Sequence, residues 1–296
     1  MPQSNWLQGM GALPQQLVIR ILRASSIPAL ELIHLLPRTF HTAAVHTALP
    51  TIDADKSVRV EASYLEHASF AEALWPALSS VTSFWRLPLH YSEDNMSPET
   101  AAALGCQLAK LSCLQQLHLS VNRIAAGAAE TLGPYLATLT SIQHLDLSHN
   151  RFEVDGAISL GPHLAHLTSI QQLNLCGNGI GAAGVESLVP RIQQLNLCGN
   201  SLRGNAGGVK LLGPVLADLT SIQQLNLGVN DIRDDGVESL GPYLAHLTSI
   251  QHLSLRCCQF GDSGINPLGP HLANLRSIQH LDLSAVMTLA TMEPSI

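Results

Sequence analysis

The chain of 296 residues is 46 % hydrophobic and only 12 % charged, with a net charge of −7 and a mean hydropathy of +0.19. That is enough apolar material for a large core. With no run of Lys or Arg, the balance argues against nucleic acid or an anionic membrane as the main partner. Six cysteines lack the paired spacing of a secreted disulfide scaffold.

Residues 1–12 read as a loose leader. Met1-Pro2-Gln3-Ser4-Asn5-Trp6 has no basic region ahead of an apolar core, so no signal peptide is expected. Arg20, Arg23, Glu31 and His34 interrupt the apolar stretches that follow, so no membrane span is expected. The expected location is intracellular, in the cytoplasm or the nucleus. Residues 13–49 form a second unit. Pro14 and Pro28 each suit the first turn of a helix. Leu17 and Ile21 make one apolar stripe, and Leu32, Ile33, Leu36 and Phe40 another, which predicts two or three short helices sharing a core.

The order Leu13-Pro14, Leu17, Ile21-Leu22, Ile27-Pro28, Leu30 and Arg38-Thr39-Phe40 resembles an F-box. The resemblance implies that Leu13, Pro14, Leu17, Ile21, Leu22, Ile27, Pro28, Leu30 and Phe40 dock onto the small adaptor subunit of a cullin-based ubiquitin ligase. The chain departs from that pattern at Ser25, where the family carries an apolar residue, and at Pro37. It also lacks acidic residues after Leu-Pro. The other reading of this segment is a plain helical cap.

From residue 50 onward the chain reads as a solenoid to residue 296, beginning with two degenerate coils. Val58-Arg59-Val60 and then Phe84, Leu87 and Leu89 fit two strands, and Ser69–Leu78, with Pro76, fits the limb between them. Ser97-Pro98-Glu99-Thr100 is a capping start, which predicts a helix leading through Ala101–Leu111.

A nine-residue frame then recurs, apolar at positions one, four and six and Asn at nine. It starts at Leu114, Ile142, Ile170, Ile192, Ile222, Ile250 and Ile278, with spacings of 28, 28, 22, 30, 28 and 28. A fixed period near this length is the mark of a solenoid. Positions four and six share one side of a short strand and point inward. The expected strands are Leu117–Leu119, Leu145–Leu147, Leu173–Leu175, Leu195–Leu197, Leu225–Leu227, Leu253–Leu255 and Leu281–Leu283, all parallel. Asn at nine is expected to bond the backbone of neighbouring coils. Cys258 and Val286 replace it in the last two copies.

After each Asn, leucines such as Leu240, Leu244 and Leu247 have helical spacing. The repeats are similar to leucine-rich repeats of the ribonuclease-inhibitor type. The fold implied is an α/β solenoid, a curved parallel sheet with helices on the convex side. Proline within the limbs, at 134, 162, 190, 214, 242 and 270, predicts broken or bent helices. The limb through Pro190 is six residues short and predicts a pinch, with two extra residues near Gly204-Asn205 in the next coil. Only twelve residues follow Ser284, so the last coil is expected to lack a cap.

Positions two, three, five, seven and eight predict a concave face rich in amides. Position two is a ladder of Gln143, Gln171, Gln193, Gln223, Gln251 and Gln279. Beside it stand His144, Asp146, Gln172, Asn174, Gln194, Asn196, Gln224, Asn226, His252, Arg256, His280 and Asp282, the expected contacts for a protein partner. The competing reading is repetition inherited from duplicated coils. No phosphate loop, zinc motif or oxyanion donor accompanies Asp146, Ser148 and His149, so no catalytic residue and no cofactor are expected. His252 and His280 lack a third ligand in register, so no metal is expected. Cys176 and Cys198 share a frame position in adjacent coils, so their sulfurs can lie near one another, and the plainer reading is two buried or half-buried thiols. The limb histidines His163, His166, His246 and His271 read as a solvated surface.

Overall fold

The computed structural model describes the backbone of residues 60–61, 86–90 and 208, and residues 96–112, 114–187, 192–203 and 209–284 in full. The leader, the helical module at 13–49, the limb at 69–78, Val286 and the tail lie outside the described residues.

Strand and helix alternate as the frame requires. The elements are β1 (Val60–Glu61), β2 (Arg86–His90), α1 (Pro98–Leu108), β3 (Gln116–His118), α2 (Ala126–Leu136), β4 (His144–Asp146), α3 (Glu153–Leu164) and β5 (Gln172–Asn174). They continue with α4 (Gly181–Glu186), β6 (Gln194–Asn196), α5 (Gly208–Asp218), β7 (Gln224–Asn226), α6 (Arg233–Leu244), β8 (His252–Ser254), α7 (Asp262–Leu272) and β9 (His280–Asp282). The strands form one sheet in chain order, every pair parallel. Leu87 stands opposite Leu117, and Val60 opposite Leu89, so the two degenerate coils keep the frame's register.

The seven regular strands each begin one residue earlier than the Leu-x-Leu reading. Position six lies just past the strand end but extends the ladder, as in Leu119 N–H to Asp146 O at 2.7 Å. From Leu117 to Leu255, the leucines at positions four and six are buried, and with the helix leucines they form one continuous core. Ser97 opens α1 as the sequence predicts, its Oγ accepting from Thr100 N–H at 3.2 Å with Pro98 in the first turn.

The position-nine asparagines are buried, and from Asn150 to Asn230 each serves two coils. Asn178 Oδ1 accepts Asn150 N–H at 3.1 Å, while its Nδ2 donates to Leu147 O at 3.0 Å and Leu175 O at 2.9 Å. Asn150, Asn200 and Asn230 repeat this pattern. Burial without partners would leave these turn groups costly, and one amide supplies both donor and acceptor. Cys258 takes the place in the next coil, its thiol donating to Leu227 O at 3.2 Å.

The turn just before the asparagine has a requirement the sequence conceals. Position eight is left-handed in six consecutive coils, at Val121, His149, Gly177, Gly199, Val229 and Cys257. Only two of these are glycine, and valine is among the residues least suited to that conformation.

Proline does not break the helices. Pro134, Pro162, Pro214, Pro242 and Pro270 lie inside helices that run on past them. Each falls in the last turns and removes a single bond, and each follows a glycine, which has no Cβ to strike the proline ring. The same glycines let neighbouring helices stack closely. A Cβ on Gly241 would lie 2.6 Å from the His271 ring, and one on Gly133 or Gly213 would collide with His163 or Tyr243. His163 and His271 are therefore half-buried over the preceding helix, whereas His166 and His246 are exposed. The solvated reading holds for the latter pair and fails for the former.

The short coil carries a short helix. Its helix α4 has 6 residues against 11 or 12 in the other convex helices, and residues 188–191 lie outside the described residues.

Candidate functional site

Parallel strands in register place equivalent residues in straight files across the sheet, about 4.8 Å apart. On the concave side the files at positions three and five border a groove of about 580 Å³ that crosses β3 to β9. Its lining includes His144, Asp146, Gln172, Asn174, Gln194, Asn196, Gln224, Asn226, His252 and His280 from the sequence-derived set. Gln116, His118 and Ser254 join them. Gln116 and His118 were legible too, since they hold positions three and five of the first regular coil.

Arg256 and Asp282 fall outside the groove's lining. Arg256 is exposed at position seven, beyond the end of β8. Asp282 lies at the final strand, where its carboxylate accepts from Ser284 N–H at 2.9 Å and Ser284 Oγ–H at 2.6 Å. Those bonds from Ser284 hold its carboxyl below the usual value. The position-two glutamines also stand outside the lining, because their place precedes the strand.

The two files differ in what the fold asks of them. From β4 to β9, position five ends the strand by bonding the backbone two residues on. Asn174 Oδ1 accepts Cys176 N–H at 3.1 Å, Asn196 accepts Cys198 N–H at 3.1 Å, and Asn226 accepts Gly228 N–H at 2.9 Å. Asp146 does the same for Ser148, accepting its N–H at 3.0 Å and its hydroxyl at 2.7 Å. Short polar side chains at this place are turn formers. Position three carries no such duty. Within the described residues no hydrogen bond holds the side chains of Gln116, His144, Gln172, Gln194 or Gln224.

Charge is sparse in the groove. Asp146 faces His118 across the β3–β4 pair, with Oδ2 3.7 Å from Nδ1. Burial pushes the Asp146 carboxyl up, but the nearby His118 imidazole and the hydrogen bonds from Ser148 outweigh it and leave the group below its ordinary value. At the other end the rings of His252 and His280 lie 6.0 Å apart, tilted by 44°. Among the described residues, no group of three or more His, Cys, Asp or Glu is placed to hold a metal ion. Ser148 is 5 % exposed and gives its hydroxyl to a carboxylate, not to a histidine. Burial pushes the thiols of Cys176 and Cys258 up to about 11 and about 12, away from the reactive thiolate.

The family profile described as Leucine Rich repeat matches residues 138–161, 166–189, 218–241 and 246–269. These four segments are leucine-rich repeats. Each match begins late in one return limb, crosses the next strand and enters the following helix, so profile and geometry mark the same unit. Among solved structures, the leucine-rich repeat-containing protein LegL7 from Legionella pneumophila is similar at a TM-score of 0.51 and 18 % identity, over 95 % of this chain and 87 % of that one. An internalin (inlF) from Listeria monocytogenes str. 4b F2365 is similar at 0.40 and 21 % identity, over 70 % of this chain; the chain spans 56 % of that structure's length. At such identities the likeness concerns the fold alone. Among curated proteins none matches. No helix among the described residues is long and apolar enough to cross a membrane.

Proposed function

We propose that the chain recognises another protein, without catalysis, through the concave face of its repeat sheet. One observation carries the reading: the position-three file crosses seven strands with its amides and imidazoles unclaimed by the fold, while the neighbouring file is consumed by turns. Gln side chains offer donors and acceptors together, a match for an extended segment whose own backbone presents both. The near absence of charge favours a partner read by hydrogen bonding over one read by charge. Inheritance from duplicated coils explains why the files are uniform, yet it does not require position three to stay unpaired.

The test is site-specific photocrosslinking from Gln194 in the groove and from Glu238 on convex helix α6. Protein adducts from Gln194 alone are the expected outcome; equal labelling from both positions overturns the reading.

The sharper form makes the chain a substrate receptor, with residues 13–49 holding the adaptor subunit of a cullin-based ubiquitin ligase and residues 50–296 holding the target. It rests on the F-box-like order from Leu13-Pro14 to Phe40 and implies an intracellular site of action. Purified adaptor should be captured at micromolar protein, and Ile21→Asp with Leu22→Asp should abolish capture, because an unpaired carboxylate resists burial in an apolar contact. If the unaltered chain captures no adaptor, the plain repeat scaffold remains.

A further inference from the structure

We propose that Cys176 and Cys198 are a modification site, joined by a disulfide between adjacent coils when the protein meets a low-molecular-weight disulfide. Both cysteines hold position seven, directly after strands paired as Leu173 with Leu195 and Asn174 with Asn196. The ladder continues past the strands through Leu175 N–H to Asn196 O at 2.9 Å and Gly177 N–H to Cys198 O at 2.8 Å. The two cysteines therefore stand opposite one another at strand spacing, about 5 Å between Cα atoms, inside the range of roughly 4.4–6.8 Å that a disulfide spans.

Their side chains hold the same frame position on paired coils, and, beyond the effect of burial, Cys198 stands near enough to Cys176 to raise its thiol electrostatically. Each backbone is already fixed, Cys176 by Asn174 and Cys198 by Asn196, both at 3.1 Å. Bond formation therefore needs rotation of side chains rather than movement of coils. Both residues are half-buried, open enough for a small disulfide to reach one sulfur. The imidazole of His149 stands beside them, Nε2 4.0 Å from Cys176 Sγ, where it can take up the thiol proton. The other described coils place Ser120, Ser148, Gly228, Arg256 and Ser284 at position seven, so no second adjacent pair exists there.

The chemistry balances as thiol–disulfide exchange. One cysteine, as thiolate, attacks a sulfur of RSSR; a protein–SR bond forms and RSH leaves after taking a proton. The second cysteine attacks the protein sulfur of that mixed disulfide, the Cys176–Cys198 bond forms, and a second RSH leaves. Two thiols lose two protons and two electrons, and RSSR gains both. Burial of Cys176, which favours its protonated form, slows the exchange without setting its end point.

The full chain is equilibrated across glutathione/glutathione-disulfide ratios, quenched with an alkylating agent and digested. Trypsin cuts after Arg151, Arg191 and Arg203, so the two cysteines fall on separate peptides. The expected product joins those peptides through one disulfide, at an oxidant ratio more than tenfold lower than glutathionylates exposed Cys106. Cys176→Ser or Cys198→Ser should abolish the joined product, and Cys106→Ser should leave it unchanged. Separate alkylated peptides, or separate glutathione adducts at 176 and 198, in buffer that already modifies Cys106 would overturn the proposal.

Discussion

Asn178 shows how much one buried side chain does in this fold. Replacement by Ala strips the acceptor from Asn150 N–H and a donor from Leu147 O and Leu175 O. Leu147 O and Leu175 O keep a second donor in Asn150 and Asn200, so Asn150 N–H is the group left unpaired, at about 1–3 kcal/mol. With the two lost bonds at about 0.5–1.5 kcal/mol each, Asn178→Ala should cost about 2–6 kcal/mol in urea unfolding. Asn178→Cys should cost less, because Cys258 already shows a thiol donating in that position. Equal losses would mean that packing, not hydrogen bonding, sets the requirement. Val229 presents the opposite case. It is 56 % exposed at a φ of 53°, so it buries little and bears left-handed strain. Val229→Gly should raise stability by about 1 kcal/mol, measurable as a higher melting temperature. Asp146 adds a pH dependence. Its folded-state pKa lies below the unfolded value. Its contribution is therefore fully present above about pH 3.9, the ordinary carboxylate value, and is lost as pH falls through the lower folded value. Asp146→Asn should flatten that part of the acid limb in urea midpoints taken from pH 7 downward. An unchanged acid limb would show that other groups set it.

Within an element, the alternation of the strand divides residues with no intermediate class. Leu225→Ala should cost about 2–5 kcal/mol, since Leu225 is 2 % exposed in a continuous core. Its exposed neighbour in β7, Gln224, should tolerate Ala at under about 0.5 kcal/mol. Comparable losses would invert the assigned faces. This much was legible in the sequence, because period two within strands and a period near 28 between them leave Leu, Leu and Asn few alternative places. The roles of positions three and five were not. Both carry short or amide side chains, and only the backbone geometry shows that Asn174 is spent on Cys176 while Gln172 is spent on nothing. Left-handed position eight escapes for a similar reason: glycine marks it at Gly177 and Gly199, but valine, histidine and cysteine fill it elsewhere. The expectation of broken helices fails because it weighs Pro134 and its equivalents without the glycine before each. The sequence also suggests Arg256 and Asp282 for the binding face, though the groove's lining stops at His280.

Across the whole molecule, stability is close to a sum of coils and of contacts between neighbours. The coil that begins at Ile170 contains the 6-residue helix α4, the shortest convex helix among the described residues. Hydrogen exchange should therefore open α4 and the following turn before α3 or α6. Uniform protection along the array would show that the short helix carries no weakness. The asparagine ladder has a direction with a consequence for biosynthesis. Asn178 completes the turn of the coil before it, and Asn200 and Asn230 do the same for theirs. On the ribosome, each newly made turn must therefore wait for the next asparagine, 22 to 30 residues later, before its amide protons find their acceptor. A nascent chain of this kind always trails one unfinished coil, and that coil is what a chaperone at the exit tunnel would meet.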